Sequence, residues 1–226
     1  NSVLDLLREL DTEGKRRGGL HGVSGVLPSG QAGSLRQAIL ALVFRSKGLP
    51  TALPQAKFCL WLAQNGCLEK VIANVEAKGR VFSDEVGYLY SSPVLAEATL
   101  AAMPTLAPDV NQVLGQLESQ FPTVHDITID DFIKTMRQVL AVNGEMPCTV
   151  LALDEIQLFI GNDQDRSKGV QDIAEAICKQ LNGRVLLIGA GQTALAGDMP
   201  LLQRLAGRFT VQIELSDADV EAVTRR

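Results

Sequence analysis

The chain of 226 residues carries 21 basic and 26 acidic side chains, a formal net charge of −5, and 46% hydrophobic residues, the profile of a globular protein able to bury a core. That balance gives no electrostatic ground for strong unspecific binding to nucleic acid or an anionic membrane. The longest apolar runs, about nine residues, are too short to cross a bilayer, and no basic stretch precedes an apolar core at the N-terminus, so the chain reads as cytoplasmic.

Residues 1–10 place leucines and a valine at helical spacing, with Ser2 positioned to cap the start and Gly14, Gly18 and Gly19 positioned to end the helix. Residues 20–27 alternate weakly as a strand, and the stretch from Pro28 to Ser34 makes a turn and a cap for a helix over 35–46. From 48 to 144 no long strand is visible. Apolar residues recur at helical intervals over 57–65, 68–78, 92–102, 110–119 and 130–142, separated by Gly and Pro, and predict a helical insertion. Phe58, Trp61, Phe82, Tyr88 and Tyr90 fall inside it at spacings that suit a core better than a binding platform. Asp130 and Asp131 follow Thr128 at a helix start, near the positive end of the dipole, and read as caps rather than catalysts. Cys59, Cys67, Cys148 and Cys178 lie in apolar surroundings without a C-x-x-C pair, and the chain has two histidines. Buried free thiols are therefore expected, not disulfides or a zinc site.

The last third is regular. A strand over 149–153, a polar loop over 161–166, a helix over 170–181, a strand over 185–190, a short helix near 201–205, a strand over 209–215 and a helix from Ser216 alternate as βαβ units do, which implies a parallel sheet. The expected class is α/β, with core segments 1–47 and 145–226 flanking the insertion 48–144.

Two of these strands carry the chemistry. Pro147-Cys-Thr-Val-Leu-Ala-Leu-Asp154-Glu155 and Gly183-Arg-Val-Leu-Leu-Ile-Gly-Ala-Gly-Gln192-Thr193 are nearly unbroken apolar runs that end in polar groups, as strands buried on both faces of a parallel sheet do at their carboxyl ends. Ligands of open α/β sheets bind in the crevice outside those ends. The first run resembles a Walker B motif, with Asp154 in the place that holds Mg²⁺ and Glu155 in the place of the general base that activates water against a γ-phosphate. The second resembles the sensor strand of AAA+ ATPases, which puts Gln192 beside the reacting phosphate and Thr193 near the nucleotide. Acids also end strands simply where a strand meets solvent. The order in which Asp154, Glu155, Gln192 and Arg208 follow one another is what gives the pattern weight.

A P-loop needs G-x-x-x-x-G-K-[ST], because backbone N–H groups must cradle the phosphates while the Lys and hydroxyl reach the outer oxygens and Mg²⁺. The sequence has none: residues 22–33 are glycine-rich without a Lys, and Gly14-Lys15-Arg16 has no hydroxyl after the Lys. The first helix therefore reads as the remainder of one that follows a P-loop, with that loop and a first strand upstream; the rival is a degenerate, non-hydrolysing domain. Further on, Leu201-Leu202-Gln-Arg204-Leu-Ala-Gly207-Arg208-Phe209 resembles the second region of homology of AAA+ proteins. There an arginine reaches the γ-phosphate of a neighbouring subunit, a task that suits the planar guanidinium fork. Arg204 and Arg208 both match, at a spacing one residue longer than the commonest form, so either is a candidate finger; pairing with an acid such as Glu214 is the structural alternative.

The order of these pieces, with the phrases Ala41-Leu-Val-Phe-Arg45, Gly48-Leu-Pro50, Ser92-Pro93, Phe121-Pro122 and Leu215-Ser-Asp-Ala-Asp219-Val220, resembles the large P-loop ATPase of bacteriophage-exclusion (BREX/Pgl) phage-defence systems, the BrxC/PglY type. The similarity runs from Leu10 onward and is most specific in the helical middle and in residues 215–220. It implies a homo-oligomeric AAA+-like enzyme using ATP and Mg²⁺, working with a methyltransferase and a phosphatase-like protein, with DNA as a candidate partner and no membrane. Two other functions fit the same residues. One is a STAND-like signalling domain that uses nucleotide as a switch, and the other is a non-enzymatic interaction module on an α/β scaffold.

Overall fold

The computed structural model describes residues 3–16, 18–28 and 34–191, together with Phe209, Val211 and Ile213. Helix α1 (Val3–Arg16) passes through Gly14 instead of stopping there. The glycine is needed for packing, since a Cβ at position 14 would come within 2.1 Å of Leu20 Cγ. The stop comes later: Gly18 takes φ 92°, and the Gly19 N–H bonds back to the Gly14 carbonyl at 2.7 Å, a Schellman-type ending. Strand β1 (Leu20–Val26) follows at once. Helix α2 (Leu35–Ser46) opens with the Ser34 hydroxyl accepting from the Gln37 N–H, as the sequence predicts.

Five helices then precede the next helix-and-strand pair: α3 (Leu53–Gln64), α4 (Leu68–Glu76), α5 (Phe82–Gly87), α6 (Pro93–Ala102) and α7 (Val110–Gln120). All but α5 were legible from periodicity; α5 is too short for a helical repeat to show. Their apolar faces meet in a core of their own around Phe58, Leu62, Val71, Leu95, Val113, Leu117 and Phe121. Phe58 stacks on Trp61 at 6.1 Å, Phe121 meets both rings edge-on, and the Tyr90 hydroxyl donates to the Phe121 carbonyl. These aromatics are core, apart from Tyr88, which is 67% exposed.

Helix α8 (Ile129–Leu140) lies inside the 48–144 stretch, yet it packs on α2 and the sheet. Its amphipathic face, Phe132, Ile133, Met136, Val139 and Leu140, is buried there. Thr128 caps it by accepting from the Asp131 N–H at 3.1 Å, and Arg36 on α2 clamps Asp126 just upstream. Strand β2 (Cys148–Asp154), the short helix α9 (Ile156–Ile160), helix α10 (Gln164–Gln180) and strand β3 (Val185–Gly189) complete the described elements. Helix α10 begins six residues before the expected 170. Asp163 accepts from both the Asp165 and Arg166 N–H groups, and that cap turns an apparently polar loop into a first turn.

Among the described residues the sheet has three strands in the order β1-β2-β3, all parallel. Successive crossovers that step in one direction place their helices on one face, and α2, α8 and α10 all lie against Val23, Leu151, Leu153 and Val185. The expectation that β2 is buried on both faces is not met. Its residues alternate, with Thr149, Leu151 and Leu153 buried and Val150 38% exposed. On the same outer face Leu186 and Ile188 of β3 are 61% and 40% exposed. The apolar run in β2 comes from residues that would suit a covered face, and the described helices cover only one. No helix among the described residues is long and apolar enough to cross a membrane.

The cysteines are free, as expected, but only Cys59 is buried; Cys67 and Cys148 are half-buried and Cys178 is exposed on α10. Burial pushes the Cys59 thiol up to about 11.

The helical unit contains one buried carboxylate. Glu85 is 5% exposed, takes a hydrogen bond from the Ser92 hydroxyl and another from Arg80 Nε at 2.7 Å, and Ser92 in turn caps α6. The Ser92 and Arg80 bonds hold its pKa below the ordinary carboxylate value against the opposing effect of burial. A carboxylate with a lowered folded pKa contributes stability above its unfolded pKa and loses it as pH falls through the folded one. Thermal unfolding followed from about pH 6 down to about pH 3 should show a steeper acid loss for the parent than for Glu85→Gln, and equal slopes would remove Glu85 from the acid response.

Candidate functional site

Backbone pairing alone brings Asp154 to the middle of the sheet's carboxyl edge. In register it stands opposite Val26, where β1 leaves the sheet, and its predecessor Leu153 stands opposite Gly189, where β3 leaves. The two exits remain stitched beyond the strands: the Ala190 N–H donates to the Leu153 carbonyl at 2.8 Å and the Ile156 N–H to the Ala190 carbonyl at 3.1 Å.

Glu155 is caught between these two bonds and takes a left-handed conformation, φ 52° and ψ 36°. Among the described residues two other non-glycine residues do so, and both are asparagines, Asn143 and Asn182, the type that tolerates it best. For a glutamate the cost is about 1–2 kcal/mol. The Asp154 carboxylate bends back to accept the Glu155 N–H at 2.9 Å, which helps hold the turn. Beyond it Ile156, Phe159 and Ile160 anchor α9 in the core, while Arg166 lies over the Phe159 ring at 5.4 Å and donates to the Phe159 carbonyl at 3.0 Å. A short apolar helix thus fixes the turn from beneath and leaves Asp154 exposed.

Gln157 was not singled out by the sequence, where it is one polar residue in the run Ile156-Gln-Leu-Phe-Ile160. It is 4% exposed, and its Oε1 has no hydrogen-bond partner among the described residues. An unpaired buried acceptor costs about 1–3 kcal/mol. Strain at Glu155 and the orphan at Gln157 therefore fall within three residues of Asp154.

The arrangement offers one exposed carboxylate at a strand exit with a second on the adjoining turn. Among the described residues no three His, Cys, Asp or Glu side chains group to hold a metal ion. Mg²⁺ is ordinarily held by one or two carboxylates while phosphates and waters complete its octahedron, and Asp154 with Glu155 alongside fits that donor set. Gln192, Thr193, Arg204 and Arg208 lie outside the described residues. Of the segment expected as a strand over 209–215, Phe209 packs against the sheet core near Gly189, and Val211 and Ile213 are exposed.

Two adjoining cavities, about 310 and 400 Å³, occur at the opposite edge, among Arg16, Arg137, Glu145, Cys148, Asn182 and Arg184. Helices α8 and α10 end there, and Arg137 donates to the Gln180 carbonyl, at a helix C-terminus where cations are favoured, while Arg16 pairs with Glu13 and Arg184 donates to Cys148 Sγ at 3.7 Å. The left-handed non-glycine residue at that edge is Asn182, of a type that tolerates the conformation. No family model matches the chain, and no solved structure matches it.

Left-handed strain makes its own prediction. Glu155→Gly should raise stability to chemical denaturation by up to about 1 kcal/mol, whereas Glu155→Val should lower it; a destabilised glycine variant would show that the turn is not strained.

Proposed function

We propose that this chain is part of an ATP-hydrolysing AAA+-like P-loop ATPase of the bacteriophage-exclusion (BREX/Pgl) type, contributing the metal-holding and base residues and receiving its P-loop from an upstream segment. The observation that carries the reading is the position of Asp154 and Glu155: they leave the central strand of a parallel sheet at the edge where α/β proteins bind ligands. Two further features support it. Strand β3 pairs with β2 along one edge, and among the described residues nothing pairs along its other edge, which an α/β core of this kind extends with a further strand. The sheet's uncovered apolar face is likewise suited to another layer, since parallel sheets are ordinarily covered on both sides.

In this reading Asp154 holds Mg²⁺, which when bound offsets charge on the phosphates. Glu155, set by the turn outside the strand, accepts a proton from the attacking water. By the resemblance, Gln192 would act beside the reacting phosphate, Thr193 near the nucleotide, and Arg204 or Arg208 at the site of a neighbouring subunit in a homo-oligomer. The defence-system methyltransferase, the phosphatase-like protein and DNA are its proposed partners, in the cytoplasm.

The carboxylates can be separated by their variants in the P-loop-bearing protein. Glu155→Gln should abolish turnover while ATP stays bound, because the amide keeps the shape and cannot take the proton. Asp154→Ala should instead weaken Mg-nucleotide binding, measured by calorimetry. Parental turnover in Glu155→Gln would falsify the assignment.

The arginines are tested by mixing. A transition-state arginine supplied across a subunit boundary is worth about 10³–10⁵ in rate in related phosphoryl transfers. Arg208→Ala or Arg204→Ala should therefore lose turnover with affinity largely kept, and mixing with Glu155→Gln subunits should restore part of it at correctly paired interfaces. An oligomer that forms but recovers nothing with either variant favours the nucleotide-switch reading.

A further inference from the structure

The edge of the sheet opposite Asp154 holds the two adjoining cavities of about 310 and 400 Å³, within the range of small-molecule sites, roughly 300–1,000 Å³. Glu145, Asn182 and Arg184 line both, Arg137 lines the first, and Arg16 and Cys148 line the second. In a chain of net charge −5, three guanidiniums against one carboxylate make this a basic spot. Its position is set by main-chain bonds. Arg184 immediately precedes β3 and Cys148 opens β2; the Thr149 N–H donates to the Arg184 carbonyl at 2.7 Å, and the Arg184 N–H donates to the Leu181 carbonyl at 2.9 Å. The root of the Arg184 side chain is thereby fixed beside Cys148.

A guanidinium carries five N–H donors in a planar fork. Arg184 turns Nη1 to the Cys148 sulfur at 3.7 Å, a weak acceptor. Arg137 gives Nη2 to the Gln180 carbonyl, and Arg16 gives Nη1 to Glu13 in an exposed pair. The carbonyl ends of α8 and α10 draw positive charge to this edge, but each counts for about half a unit charge, so two of them together with Glu145 leave the balance positive. Among the described residues the Glu145 carboxylate has no ion pair with any of these arginines.

We infer that the paired cavities are a binding site for a small anion, a carboxylate or a phosphate. Arg184, common to both, is its anchor, because the guanidinium fork meets two oxygens of such a group at once. Arg137 and Arg16 add charge on either side, and Glu145 opposes it from the rim. The site lies at the strand edge away from Asp154 and does not depend on nucleotide chemistry there.

The Cys148 thiol on the cavity wall reports the local charge in the parent chain. Iodoacetate and iodoacetamide alkylate a thiol alike and differ in charge, so the ratio of their rates cancels the reactivity of the thiol itself. Exposed Cys178 is the reference within the same chain, each site being read by peptide mass spectrometry. At low salt the ratio should be at least about fivefold higher at Cys148 than at Cys178, and it should fall towards the reference as ionic strength rises. Inorganic phosphate and citrate are then added separately at constant ionic strength. Slowing at Cys148 and not at Cys178 by either one supports the site and names its chemistry. Equal ratios at the two cysteines, or no slowing by either anion, overturn the inference. Arg184→Gln should raise the protecting concentration at least about tenfold, and Glu145→Gln should lower it about threefold. Glu145→Gln, at an exposed side chain, keeps the comparison open if Arg184→Gln fails to fold. Protecting concentrations unchanged in folded variants would mean that the arginines only hold the helix and strand ends.

Discussion

Strand β2 is hydrogen-bonded along both edges, and almost everything of interest in the molecule follows from that pairing. The register with β1 and β3 places Asp154 between two strand exits and lets the chain continue the ladder for one more bond on each side of Glu155. Because those flanking bonds are satisfied, the backbone at Glu155 has little freedom left, and the left-handed conformation is what remains. The core beneath α9 prevents relaxation: Ile156, Phe159 and Ile160 would have to leave apolar surroundings for the turn to open.

The second constraint is that the described helices cover the sheet on one side. Helices α2, α8 and α10 bury Val23, Leu151, Leu153 and Val185, whereas Leu186 and Ile188 face outward. Helix α1 repeats the theme, with Leu4, Leu7 and Leu10 more than half exposed on a strongly amphipathic helix. Apolar area of this kind favours burial at roughly 25 cal/mol per Å², so the face and the helix are both surfaces that gain by acquiring a neighbour. The helical unit around Phe58 and Phe121 is in a different position. It closes its own core, and Glu85, paired with Ser92 and Arg80, joins α5 to the start of α6 inside it. Leu49 packs against both cores, so the two units meet near the end of α2.

Strain and an unpaired acceptor fall together in this one turn; the other unpaired buried acceptor among the described residues, Gln55 Oε1 on α3, has no strained residue beside it. Local rules are broken where a protein does something other than fold. Asn143 and Asn182 have a positive φ in turns with a side chain that suits it, which makes Glu155, among the described residues, the position where conformation and residue type disagree.

Residue type and periodicity were enough to read the α/β class, the parallel strands, the Ser34 cap and four of the five helices from α3 to α7, because those features depend on local spacing and on turn chemistry that any context preserves. The same local information pointed to Asp154 and Glu155, since an apolar run ending in acids is visible without knowing what lies beside it. It misread the helix start at Gln164, where Asp163 becomes a cap only once Phe159 and Arg166 hold the preceding turn. It also gave β2 two buried faces, because an apolar side chain is equally apolar whether or not a neighbour covers it. Gln157 could not be distinguished from an ordinary polar residue in a helix, because its burial depends on the segments packed around it. Burial, left-handed strain and an unpaired oxygen are properties of several segments brought together, so only the tertiary structure decided them.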